Sequence, residues 1–163
     1  MTAPLTTYLN DHLGGAQVAI QVLESMREQH DDPRFREFAR NLIPEIQADD
    51  VALRSIVEKI GASPSTAKRA GGWLLEKAAR LKLGHTGSTN FETFESLELL
   101  ALGIFGKLSL WKALQSASKR DHRLHQFDFD ALILRAEQQY EQVERQRLQL
   151  AGSVLLPPTA ESA

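Results

Sequence analysis

The sequence predicts an all-α protein, a four-helix bundle with one long helical crossover between its second and third helices. Three observations lead there. Four long segments repeat apolar residues at alternating steps of three and four, which is the seam of a bundle helix. Proline, glycine and capping residues mark where these segments begin and end. The link at 61–89 is far longer than adjacent antiparallel helices require.

The first helix is expected from about Pro4 to about Gln29, with proline in the first turn, where its missing N–H costs nothing. Its seam reads Leu5, Leu9, His12, Ala16, Ala19, Leu23 and Met26. His30-Asp31-Asp32-Pro33 is a stop and restart, with Asp32 as N-cap. The second helix continues to about Ile60 on the seam Ala39, Leu42, Ile46, Asp49, Leu53, Ile56 and Ile60, and Gly61 ends it.

Within the link, Ser63-Pro64 reads as a helix start and Gly84 as a stop, with Trp73, Leu74, Leu75, Ala78, Ala79 and Leu81 between them. Gly71-Gly72 predicts a break or close contact there. A bundle helix of about 27 residues is ~40 Å long at ~1.5 Å per residue, a distance this link can travel. Thr89 and Glu92 form a capping box for the third helix, which reaches about Ser118. Leu97, Leu99, Leu100, Leu102, Ile104 and Phe105 make it apolar nearly all round, so it needs cover on two sides. Gly103 and Gly106 on it, like Gly14-Gly15 on the first helix, predict close packing. The fourth helix starts near Asp128 and follows Phe129, Ile133, Ala136, Tyr140, Val143, Arg147 and Leu150 to about Ala151.

These elements make one domain over residues 1–151, followed by a flexible tail at 152–163. Lysine and arginine are dispersed and the net charge is -2, which argues against nucleic acid as a partner. Lys68-Arg69, Lys77, Arg80 and Lys82 fall together in the link and read as a solvated face. Cysteine is absent, excluding disulfides and thiolate chemistry. No stretch approaches the ~20 apolar residues of a membrane span, and Met1–Leu13 lacks signal-peptide character, so no membrane and a cytoplasmic location are expected.

The organisation resembles the ferritin-like superfamily, and more closely a branch of small bacterial four-helix bundles within it. The resemblance covers about residues 4–151. It rests on Tyr8-Leu9-Asn10-Asp11-His12-Leu13-Gly14-Gly15-Ala16, on Leu102-Gly103-Ile104-Phe105-Gly106-Lys107-Leu108, and on Arg135-Ala136-Glu137-Gln138-Gln139 before Glu144. Di-iron members of the superfamily place Glu on two helices and Glu-x-x-His on the other two. This sequence has no Glu-x-x-His, and its mid-bundle seam offers Ala16, Ile46, Ile104 and Ala136. The expectation is therefore no di-iron centre, no cofactor and no assigned catalytic residue.

Weaker metal candidates are Glu92, Glu95 and Glu98, Glu141 with Glu144, and His122-x-x-His125 beside Asp121 and Asp128. The glutamates drift off the seam and favour the helix dipole, and the histidines fall in a short link, so structural roles are expected. Two polar pairs stand out. His12 and Asp49 occupy seam positions nineteen residues before and eighteen after residue 31, so antiparallel helices bring them to one level as a buried structural pair. Arg147 sits on an apolar seam at the end of the bundle where Glu98 can pair with it.

Function is expected to lie in self-association as a homodimer or in binding a protein partner, rather than in catalysis. Val18, Val22 and Met26, beside Gly14-Gly15, are the expected dimer stripe. The alternative is a metal- or small-ligand-dependent enzyme using His12/Asp49 or Glu98/Arg147.

Overall fold

The computed structural model describes residues 4–61, 76 and 89–156. Among them are four long helices and one 3-10 turn: α1 (Pro4–Gln29), α2 (Pro33–Ile60), α3 (Asn90–Ser118), the turn His122–Leu124, and α4 (Phe129–Leu155). No strand occurs among the described residues, and no helix there is long and apolar enough to cross a membrane. The readings placed on residues 62–75 and 77–88, including the helix start, the glycine break and the basic cluster, lie outside the described residues.

Local chemistry sets the helix ends. Asp32 accepts a 2.8 Å hydrogen bond from the Arg34 amide and Pro33 follows it, so α2 begins without an orphan donor at its first position. The Arg34 guanidinium hydrogen-bonds the same carboxylate and holds the Asp32 carboxyl down at about 2. Gly61 closes α2 in the left-handed region at φ 73°, where a side chain is disfavoured. At α3 the Glu92 amide donates to Thr89 Oγ1 and the Thr89 amide donates to Glu92 Oε2, a reciprocal capping box. The fourth helix runs past its expected end at Ala151 to Leu155. Gly152 does not stop it, because a helical glycine costs only about 1 kcal/mol and ends a helix chiefly by turning left-handed, which Gly152 does not do.

The short turns at 30–32 and 119–128 make two antiparallel hairpins, α1–α2 and α3–α4, and the most extensive helix contacts lie within them. Two contacts tie the hairpins end to end. His30 Nε2 lies 2.8 Å from Thr93 Oγ1, placing the first turn beside the start of α3. The Arg123 guanidinium donates to the Ile60 carbonyl at 3.1 Å, placing the end of α2 beside the turn after α3. Hence α2 and α3 run in the same direction.

Two apolar clusters fill the interior. One gathers Val22, Leu23, Leu42, Ile46, Leu100, Ile104 and Val143 near the α1–α2 turn. The other gathers Leu9, Leu53, Ile56, Trp111, Leu124, Phe129 and Ala136 at the opposite end. Val18, Val22 and Met26 are buried in the first cluster, so the stripe expected to meet a second copy belongs to the chain's own core. The buried face of α1 is turned toward Leu13, Val18 and Val22, leaving His12, Ala16 and Ala19 of the expected seam only half-buried. That rotation opens space along α1.

Candidate functional site

Between the two apolar clusters lies a polar layer. Its centre is Asp49, 2% exposed, carried inward because Ile46 and Leu53 on either side are core residues of α2. A buried carboxylate without partners is costly, and here it has three. Arg135 Nε donates to Oδ1 at 2.7 Å, Gln139 Nε2 donates to Oδ2 at 3.1 Å, and the Lys107 ammonium pairs with Oδ2. Lys107 also donates to Gln139 Oε1, and Gln139 Nε2 reaches Glu45 at 3.2 Å. The layer thus joins α2, α3 and α4. Burial pushes the Lys107 ammonium below the ordinary lysine range, and the Asp49 carboxylate pulls it back up.

Beside this layer, among α1, α2 and α3, is a mostly apolar cavity of about 260 Å³. His12, Gly15, Ala16 and Ala19 of α1 line one wall, Ile46, Asp49, Asp50 and Leu53 of α2 another, and Gly103, Ile104, Gly106, Lys107 and Trp111 of α3 the third. Two of the lining polar groups have no hydrogen-bond partner among the described residues: the indole Nε1 of Trp111, a fully buried residue, and the buried Oδ1 of Asp50. Asp50 Oδ2 is already engaged by Arg54 at 2.8 Å. Each orphan buried group costs about 1–3 kcal/mol.

The three cavity glycines differ from expectation. A Cβ built at Gly15, Gly103 or Gly106 would meet nothing among the described residues within 4 Å. Among the described residues they are not close-packing contacts.

His12 and Asp49 both line the cavity, at one level of the bundle, but the hydrogen bonds to Asp49 come from the other hairpin rather than from His12. The imidazole stands edge-on to Tyr8, with ring centroids 4.9 Å apart, and burial lowers its pKa. Arg147 lies 3.5 Å from Glu98 and more tightly, at 2.5 Å, against Glu144, with its guanidinium 5.3 Å from the centre of the Phe94 ring. That assembly is half-exposed and sits away from the cavity.

Three of the acidic candidates, Glu92, Asp121 and Asp128, serve as caps. Glu92 closes the capping box, Asp121 accepts from the Arg123 amide, Asp128 accepts from the Ala131 amide, and the His125 ring is 2.7 Å from the Ser118 carbonyl. Among the described residues no three His, Asp or Glu side chains stand close enough together to hold a metal ion.

Lys107, Arg135 and Gln139 were missed as partners of Asp49. A signal existed for Lys107, which stands three residues after Ile104 and four before Trp111, on the apolar stripe of α3. Comparison with known proteins finds no matching family model, no matching curated protein and no matching solved structure.

Proposed function

We propose that the chain is a small-ligand-binding helical bundle of ferritin-like topology, with its ligand held in the cavity among α1, α2 and α3. The parallel course of α2 and α3 supports the topology. The chain leaves α2 at Ile60, beside Arg123, and enters α3 at Asn90, beside the His30 turn, so the 61–89 link has the bundle's length to return over.

The observation carrying the ligand reading is that three helical glycines border space a methyl group would fit. Each gives up about 0.5–1 kcal/mol of helix stability against alanine and gains no packing against the described residues in exchange. Such positions make sense where an occupant needs the room. An apolar cavity of about 150 Å³ accommodates benzene, so the larger space here suits a molecule of roughly ten heavy atoms.

The test is Gly103→Leu in the full chain. Its ligand-free melting temperature is expected to equal or exceed that of the parent, while retention of small aromatic and aliphatic probes, followed by native mass spectrometry, is lost. A steep loss of ligand-free stability would show that protein atoms already fill the space, and the reading would fall.

A second reading, self-association as a homodimer, is favoured by Leu102 and Phe105, 44% and 56% exposed on one side of α3. Sedimentation at micromolar concentration tests it. A mass twice 18.2 kDa that returns to 18.2 kDa in Phe105→Lys supports a dimer, and a monomer in the parent chain removes it.

A further inference from the structure

We propose that the ligand of this cavity is a small organic ammonium compound with an apolar body and an acceptor oxygen. The inference rests on the ligand-binding reading above and specifies its chemistry.

Charge gives the first argument. Three carboxylates, Asp11, Asp49 and Asp50, line the cavity beside one lining ammonium, Lys107, and Asp50 is already paired through Oδ2 with Arg54. Lys107 is consumed by Asp49 and Gln139, and Arg135 adds a second cation to Asp49. Asp50 keeps one buried oxygen with no donor. The unmet demand at that atom is for a hydrogen-bond donor, and a charged nitrogen makes the stronger bond to a carboxylate. His12 makes no hydrogen bond to Asp50, its ring standing edge-on to Tyr8.

The indole gives the second argument. Trp111 is fully buried and lines the cavity with an N–H that has no acceptor. An acceptor oxygen on the ligand satisfies it. The same ring offers an apolar face that also attracts cations. Gly15, Gly103 and Gly106 leave room for the apolar body between these two polar ends. A carboxylate ligand would bring no donor to Asp50 Oδ1, and a purely apolar one would leave both orphans unmet.

The experiment is calorimetric titration of the full chain with three probes of matched shape: tyramine (ammonium and phenol), 4-ethylphenol (neutral) and 4-hydroxyphenylacetate (anion). Tyramine is expected to bind at least tenfold more tightly than either analogue. Asp50→Asn should cancel that preference while leaving 4-ethylphenol binding within twofold, which also shows that the variant is folded. Trp111→Phe should weaken tyramine and 4-ethylphenol about tenfold each. If the three probes bind equally, and Gly103→Leu abolishes all of them, the ammonium assignment is overturned while the cavity reading stands. If none binds the parent chain, both fall together.

Discussion

His30 and Thr93 share a 2.8 Å hydrogen bond that joins the turn between α1 and α2 to the first turn of α3. The proton positions follow from the neighbours. The Asp32 amide donates to His30 Nδ1 at 3.0 Å, so Nδ1 is an acceptor and Nε2 carries the proton given to Thr93. Thr93 Oγ1 in turn donates to the Thr89 carbonyl at 3.0 Å. The chain of donors runs one way, and it requires a neutral imidazole.

Acidification should therefore loosen this end of the bundle. Burial lowers the pKa of His30, and of His12, below the ordinary histidine value of about 6.5. As pH falls through that value the unfolded chain takes up the protons first, so stability declines until the folded-state values are passed, and it is flat above. Denaturant melts between pH 5 and 8 should show this slope, and Thr93→Val should cost about 1–3 kcal/mol at pH 7.5 by orphaning the His30 N–H. A flat profile would remove the tautomer argument.

Asp49→Ala should destabilise the fold by about 3 kcal/mol. Removing one member of a buried ion pair strands its partners, and the cost sits at the low end of such changes because Arg135 can turn toward water. Double-mutant cycles should give a coupling above ~1 kcal/mol for Asp49 with Lys107 and below ~0.5 kcal/mol for Asp49 with His12. Equal couplings would restore His12 as the partner.

Gly103→Ala and Gly106→Ala should each raise stability by about 0.5–1 kcal/mol, since alanine is the better helix former and its methyl meets no described atom. Thermal melts decide the point, and a loss in either variant means that the space is narrower than 4 Å clearance implies.

A double-mutant cycle should give a coupling below ~0.5 kcal/mol for Glu98 with Arg147, because that contact is long and half-exposed. Arg147→Ala should cost about 1 kcal/mol, since it removes the Glu144 pair and the Phe94 ring contact together. A coupling of Arg147 to Glu98 as large as its coupling to Glu144 would make Glu98 the main partner.

The helix ends were legible in the sequence because each depends on residues within one turn. Asp32-Pro33, Gly61 and Thr89 with Glu92 carry their own boundary chemistry. Counting outward from the 30–32 turn also put His12 and Asp49 at one level, as the shared cavity shows. The count could not give the rotation of each helix about its axis. That rotation turns Asp49 toward α3 and α4 and sinks Val18 and Val22 into the core. Whether a glycine admits a neighbouring helix or borders open space is also a tertiary matter, and Gly103 reads the same in both cases.

The polar layer fastens α2, α3 and α4 with charge, but takes nothing from α1. Among the described residues the first helix packs chiefly on α2 and only lightly on α3 along the cavity wall. Its amides should accordingly exchange with solvent by a cheaper opening than those around Asp49. Opening at α1 alone would then admit a ligand to the cavity while the helices joined at Asp49 stay in place, without global unfolding.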